Sequence, residues 1–334
     1  MAATHPSETA TGTVPKDARA LWIVEKGRPA ILPVRLPESE HLVEIETLCS
    51  AISRGTEALV LAGNVPESEH ERMRCPFQEG SFTFPVKYGY SAVGIVRKGP
   101  AELAGRTVFV LHPHQDRFRV DPEMVVPVPE TMPPERAALA ANMETALNVV
   151  WDGRISPGDR VAVVGGGTVG LLAAWLAARI PATAVTLVDV QPDRSRLAAR
   201  LGCDFALPAD CPADCDLVIH ASATSEGLAT ALAAAGSEAT VIEASWYGRR
   251  SVAAPLGGAF HSRRLRLISS QVGDLPPWRR PRWSRRRRLE LSLSLLADTA
   301  LDMLLSGETS FSEIADAYPA ILAEPTTLCH LIRY

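Results

Sequence analysis

One stretch, from Asp159 to Ala178, constrains the fold of this chain more than any other. Val161 to Val164 reads as a short strand buried on both faces, and Leu171 onward reads as a helix. Between them stands Gly165-x-Gly167-x-x-Gly170. In such a turn the first glycine permits the sharp reversal, and the second lets the backbone approach a pyrophosphate. The third packs the helix closely on the strand, so that the helix N-terminal N–H groups face the phosphates. A second strand, Ala184 to Asp189, ends in an acid 24 positions after Gly165. A carboxylate there can hold the ribose hydroxyls of an adenosine and repel a 2′-phosphate. Strand, turn, helix and strand in this order set the motif apart from a fortuitous glycine-rich turn. They predict a dinucleotide site made of Gly165, Gly167, Thr168, Val169, Gly170 and Asp189, with NAD preferred over NADP.

Residues 161 to 178 carry no charge and are long enough to cross a bilayer. Three consecutive glycines after a β-branched strand fit a βαβ unit better, so no membrane partner is expected. The 334 residues suit two domains, each with its own core. Hydrophobic content of 46%, charged content of 22% and a net charge of −4 are those of an ordinary globular protein. They give no general reason to expect nucleic acid as a partner. Cys49, Cys75, Cys203, Cys211, Cys215 and Cys329 form no C-x-x-C pair. That argues for a reducing compartment and against a cysteine-rich structural zinc lobe. Residues 1–18 lack an apolar segment and read as a flexible tail, not a signal peptide. A cytoplasmic location follows by default.

The remainder of the chain sorts by periodicity. From Ala20 to about Val128 it is β-rich, with strands expected at Leu21–Val24, Leu42–Leu48, Ala92–Val96 and Arg106–Leu111. A helix starts within Arg54–Ala62, and residues 64–85 form a long polar loop suited to a functional role or a mobile flap. Pro133 to Trp151 reads as one helix. From Val161 to about Val272 strands alternate with Ala- and Leu-rich helices, including strands Asp216–His220 and Ala239–Glu243. That alternation predicts a parallel doubly wound sheet. Residues 249–288 hold twelve arginines, with Trp278 and Trp283 among them. A nucleic-acid or acidic-partner patch competes here with a solvated amphipathic helix from Arg285 to about Leu296, capped by Ser284. The second is favoured because the charge is local, which leaves open an anionic substrate group near this end.

A β-rich first half, a nucleotide unit near the middle and a final return to strands and helices resembles the medium-chain dehydrogenase/reductase family. Arg54-Gly-Thr-Glu57 stands where that family has Cys-Gly-Thr-Asp, and Gly89-Tyr-Ser-Ala-Val-Gly94 where it has Gly-His-Glu-x-x-Gly. The glycine motif and Asp189 follow at the right distances. Ser53 to Glu57 and Tyr88 to Ser91 also resemble the branch containing bacteriochlorophyllide hydroxyethyl dehydrogenase. The resemblance implies an α/β protein, with a GroES-like β-rich catalytic domain (19–145) and a Rossmann doubly wound parallel-sheet domain (146–285). Residues 286–334 would return to the catalytic domain.

The departures from the family pattern carry the mechanism. Zinc members place a Cys and a His where this chain has Arg54 and Tyr90. A third ligand would fall near Leu139 to Asn142, which offers no Cys, Asp, Glu or His. Catalytic zinc needs three protein ligands and one open position, so no metal is expected. Other groups must then manage the developing alkoxide and its proton. By the resemblance, Thr56 matches the hydroxyl that touches the substrate oxygen. The proton-relay His three positions on is replaced by Leu59. Tyr90 stands at a ligand position facing the substrate, where it and Arg54 either act or merely fill space. His112 falls at a pocket-lining position, and an imidazole titrating near neutrality suits acid–base work. Its alternative is an ordinary loop histidine beside His114. Glu144 lies either near the nicotinamide or on a solvated helix start, and His220 reads as a pocket-wall or core histidine.

The expected function is a zinc-independent, NAD-dependent oxidoreductase interconverting a secondary alcohol and a carbonyl of a small-molecule substrate, as a homodimer. Alternatives are a zinc-free enoyl or quinone reductase, for which Leu59 would be no loss, and a non-redox NAD(H) sensor or scaffold.

Overall fold

The computed structural model describes residues 18–334. Of the expected flexible tail, residues 1–17 lie outside the described residues, and Ala18 already pairs with Val34 in the first strand.

The glycine motif sits in a six-stranded, all-parallel sheet. Its order across the sheet is Asp204–Ala206, Ala184–Val188, Arg160–Val164, Cys215–His220, Ala235–Glu243 and Arg266–Ser269. Chain progression reverses between Arg160–Val164 and Cys215–His220, which is the switch point of a Rossmann fold. The inner strands are apolar on both faces because helices cover both, and Ala162, Val163, Leu187, Val218, Ile219 and Val241 are fully buried. Each such valine, leucine or isoleucine contributes roughly 1.5–3 kcal/mol of burial.

The β-rich part forms two further sheets. A seven-stranded sheet includes Val43–Ser53, Ala92–Lys98 and Thr107–Val110, and Arg117–Val120 pairs with Val43–Ser53. Leu305–Ser310 and Cys329–Arg333 join this sheet from the far end of the chain. A four-stranded sheet joins Arg28–Val34, Ala18–Glu25, Val86–Lys87 and Glu79–Gly80. The strand Arg28–Val34 was not expected. It holds Pro29 and Pro33 and buries only Val34, as an edge strand permits, so it lacks apolar alternation.

Two expected helices differ in detail. Pro133–Trp151 is broken into Pro134–Ala137 and Ala140–Gly153, and at the break the Ser91 hydroxyl donates to the Ala138 carbonyl (2.5 Å). Ser284 caps the helix Arg285–Leu295 by accepting from the Arg287 N–H (3.1 Å). That helix is not solvated throughout, because Arg288 on its inner face is 1% exposed. Within 64–85, Val65, Cys75 and Phe82 are buried and anchor the loop to the β-rich core.

Candidate active site and nucleotide crevice

The nucleotide turn shows why each glycine stands where it does. Gly165 adopts φ +112°, and a Cβ there would meet the Ser222 backbone. Gly170 packs so closely that a Cβ would strike the Gly165 carbonyl oxygen. Gly167, the N-cap of the helix Thr168–Ala177, faces open space instead. A phosphate can therefore approach the free N–H groups of that helix. Asp189 ends the neighbouring strand, and its carboxylate accepts from Gly166 N–H (2.6 Å) and Gln191 N–H (2.8 Å). Val190 beside it is 75% exposed, an apolar surface at the mouth of the crevice. Arg194 lies near enough to Asp189 to feel its charge, and bonds the carbonyls of Pro325 and Thr326. Sequence reasoning missed this arginine. These residues fit an adenine dinucleotide, with Gly165, Gly167, Thr168, Val169, Gly170 and Asp189 gathered at one crevice.

Across the cleft, the helix Arg54–Leu61 presents Arg54 and Thr56 at its start. The hydroxyls of Ser53 and Thr56 lie close enough to the Tyr90 phenol to lower its pKa, and Asn142 Nδ2 donates to Ser53 Oγ (3.3 Å). Burial, then the Glu57 carboxylate, pushes the Tyr90 phenol up to about 12 against those two hydroxyls. Thr56 and Tyr90 are therefore neighbours in the fold. Arg54 lies within electrostatic reach of Arg194 and Glu324, so its charge is felt toward the nucleotide side. Leu59 is buried, and no side chain of its kind can pass a proton.

His112 is found in a different setting from the one expected. Its ring stacks on Phe118 (centroids 3.8 Å apart, 10° between planes) with Phe77 at 5.2 Å, and Nδ1 donates to the Pro113 carbonyl (2.9 Å). Burial first, then the nearby Lys87 charge, pushes its pKa down to about 3. Titration near neutrality is corrected accordingly: this imidazole is neutral at pH 7. Glu144 is neither a solvated acid nor a free one. It is 5% exposed and ion-paired to Arg288 Nε (3.0 Å), partnered across 144 residues of sequence.

A buried polar cluster went unread. Glu57 accepts from Ser53 N–H (2.7 Å), His114 Nε2 (3.0 Å) and the Tyr318 hydroxyl (2.5 Å), while His114 Nδ1 bonds Ser50 Oγ (2.8 Å). His114 and Tyr318 come from segments far from the Ser50–Glu57 stretch, so only the acid at the helix start was visible in the chain. It fixes the start of the helix that carries Thr56. His220 is fully buried, in keeping with a core histidine, and has polar partners on both ring nitrogens. Its register partner Glu243 ends the adjacent parallel strand, a pairing that two neighbouring strand-end residues could have signalled.

Zinc does not fit the residues present. Arg54 and Tyr90 occupy two of the positions that bear ligands in zinc enzymes of the resembling family, and Leu139 to Asn142 supplies no third. Among the described residues no group of three His, Cys, Asp or Glu side chains could hold a metal ion. Nor, among them, is any helix long and apolar enough to cross a membrane.

The fold is that of the medium-chain dehydrogenases, a GroES-like β-rich domain joined to a Rossmann domain. L-idonate 5-dehydrogenase of Escherichia coli superposes with a TM-score of 0.77 at 15% identity, covering 95% of this chain and 98% of that one. A zinc-binding dehydrogenase of Sinorhizobium meliloti 1021 bound to NADP gives 0.74 at 19% identity, over 95% and 99%. In sequence, D-guloside 3-dehydrogenase of Escherichia coli is 27% identical over 183 residues, 51% of this chain and 50% of that protein's length. The matched span is thus about half of this curated relative. No family model matches the chain.

Proposed function

We propose that this protein is a zinc-independent, NAD(H)-dependent oxidoreductase that interconverts a secondary alcohol and a carbonyl of a small molecule. The observation that carries this reading is the Tyr90–Ser53–Thr56 hydroxyl group at the position where zinc enzymes of this fold hold their metal. Hydride addition to a carbonyl leaves an alkoxide, and oxidation passes through the same charge. Hydrogen-bond donors aimed at that oxygen stabilise it in place of a Lewis acid. A phenol raised to about 12 stays protonated at neutral pH, so Tyr90 is a donor throughout. With His112 neutral and stacked on Phe118, Tyr90 outranks it. When bound, the nicotinamide supplies the hydride chemistry, and this chain's residues bind, orient and manage the proton. Asp189 supports NAD over NADP, since its carboxylate would repel a 2′-phosphate. The structural neighbour bound to NADP makes that choice the point to test.

The test is a metal analysis of purified protein followed by a panel of secondary alcohols and ketones read at the NADH absorbance. Turnover with well under one zinc per chain, indifferent to chelators, is expected. Stoichiometric zinc, with activity lost to a chelator and restored by zinc, overturns the reading.

A further inference from the structure

The helix Ala140–Gly153 is apolar along most of its length, yet Glu144, Asn148 and Asp152 stand four residues apart and so share one face. Glu144 and Asn148 are buried and Asp152 is half-buried. This polar stripe meets the loop that follows the strand Arg266–Ser269. Ser270 Oγ donates to Asp152 Oδ2 (2.6 Å), Asn148 Nδ2 reaches the Gln271 carbonyl (3.4 Å), and Arg288 Nη2 donates to the Val272 carbonyl (2.5 Å). The three anchors are themselves joined. Asn148 Nδ2 lies 3.0 Å from Asp152 Oδ2, and Asn148 Oδ1 accepts from Arg288 Nη1 (2.5 Å), while Glu144 accepts from Arg288 Nε (3.0 Å). Three successive loop residues are thus each held by a different member of one connected network.

The place of this loop in the fold gives the network its use. In a doubly wound sheet a dinucleotide lies beyond the carboxyl ends of the strands, across the switch point. With the adenosine half assigned to the glycine turn and Asp189, the nicotinamide half falls to Cys215–His220, Ala235–Glu243 and Arg266–Ser269. The loop leaves the carboxyl end of the last of these, and its Ser270 N–H donates to the carbonyl of Glu243 at the end of the neighbouring strand (2.9 Å). On its other side Gln271 Nε2 lies 3.9 Å from Met73 Sδ, in the 64–85 segment of the β-rich domain. The loop therefore stands where the two domains meet. Because the Gln271 carbonyl is turned to the helix, the Val272 N–H, trans to it across the same peptide, is turned away from the helix. Among the described residues nothing accepts from that N–H. A buried Glu–Arg pair is a poor source of stability, since desolvation offsets its Coulomb gain. Gln271 and Gly273 are exposed, so apolar packing does not fix this segment, and directed hydrogen bonds give it one position instead.

We propose that Asn148, Asp152 and Arg288, with Glu144 behind Arg288, are positioning residues for the nicotinamide half of the cofactor, an inference that rests on the oxidoreductase reading above. They set the height of residues 270–273 at the cleft, and the loop in turn sets how the ring end of the dinucleotide seats. They touch no reacting atom and act only through the loop. The adenosine half, on the far side of the switch point, is held independently of them.

Titration calorimetry with NADH and with ADP-ribose, which carries the adenosine half and the pyrophosphate but no nicotinamide ring, separates this role from general support of the fold. Ser270→Ala and Asn148→Ala are each expected to weaken NADH binding about tenfold, the worth of one hydrogen bond. ADP-ribose binding is expected to stay within about twofold of the unmodified protein, well short of that worth. Asp152→Ala should behave in the same way, and Asp152→Asn should regain most of the loss, because its amide oxygen still accepts from Ser270. Ser270→Ala removes a single oxygen at a half-buried position and keeps the test available if Asn148→Ala does not fold. Equal losses for the two ligands, or unchanged NADH affinity in folded Ser270→Ala, overturn the proposal and leave the oxidoreductase reading standing. An unmodified protein that binds neither NADH nor ADP-ribose overturns both.

Discussion

Arg288→Met is the substitution whose consequence the structure fixes most closely. The guanidinium donates from Nε to Glu144 (3.0 Å), from Nη1 to Asn148 Oδ1 (2.5 Å) and from Nη2 to the Val272 carbonyl (2.5 Å). Methionine fills much of the stem volume and removes all three donors, leaving Glu144 buried without its ion-pair partner and with only the weaker field of Arg285. Breaking a buried pair in this way costs about 3–5 kcal/mol. At about 2.1 cal/mol/K per residue, a chain of 334 residues unfolds with an entropy of roughly 0.7 kcal/mol/K, so Tm falls by about 4–7 °C. The deficit must also depend on pH. Burial, the leading cause, already holds the Glu144 carboxyl above its usual range, with Arg288 opposing it. An acid whose folded pKa is raised stabilises the fold below its unfolded pKa and loses that contribution as pH rises through the folded value. Removing Arg288 raises that value further. The penalty is therefore largest at neutral pH and shrinks as acid protonates Glu144 in the folded variant. Urea melts at neutral and mildly acidic pH would read this, with Arg288→Met/Glu144→Gln expected to regain most of the loss. A neutral-pH deficit under about 1 kcal/mol, against the 3–5 expected for a buried pair, or one that ignores pH, refutes the reasoning.

Two further outcomes follow from the site. Tyr90→Phe removes one donor at the developing alkoxide and is expected to lower kcat about 10²–10³-fold, while His112→Gln leaves turnover within about twofold; the reverse ranking in steady-state assays returns the proton to His112. Asp189→Ala should narrow the gap between NADH and NADPH affinities measured by fluorescence titration, and equal affinities in the unmodified protein would count against the assignment of Asp189.

The nucleotide half was legible because its constraints are local. A turn that needs φ +112° at Gly165 and no Cβ at Gly170 writes itself into consecutive residues. Strands covered on both faces write themselves as apolar runs, as at Val161–Val164. The polar interior was less legible, because its partners meet only in the fold. Arg288 belongs to a run of four arginines, three of them at least partly exposed, and charge runs usually mark solvated faces. Its burial is decided by Glu144 and Asn148 on another helix. His112 was expected to line the substrate pocket, but its environment comes from Phe77 and Phe118, which no spacing rule connects to it. Glu57 illustrates both cases. Its position at a helix start was readable, and its partners His114 and Tyr318, 57 and 261 residues away, were not.

A site that works without zinc, as proposed above, puts the burden of alignment on the protein. Zinc holds an alkoxide by its own charge, whereas hydroxyl donors must be aimed, and misplacement by about 1 Å can cost 10²-fold. The two walls of this cleft are tied accordingly. Arg249 donates its backbone N–H to the Asn64 carbonyl (2.9 Å) and its Nε to the Val65 carbonyl (3.0 Å). Gly248 lies so near Asn64 that a Cβ would collide with its carbonyl. On the far side Gln191 and Arg194, flanking the Asp189 turn, hold the Pro325 carbonyl. In the function proposed, the β-rich wall carries the Tyr90 donor that steadies the substrate oxygen, and the opposite wall carries the glycine turn and Asp189 that hold the cofactor. The spacing these ties fix then sets how that donor is aimed at the reacting oxygen, so loosening them is expected to lower turnover.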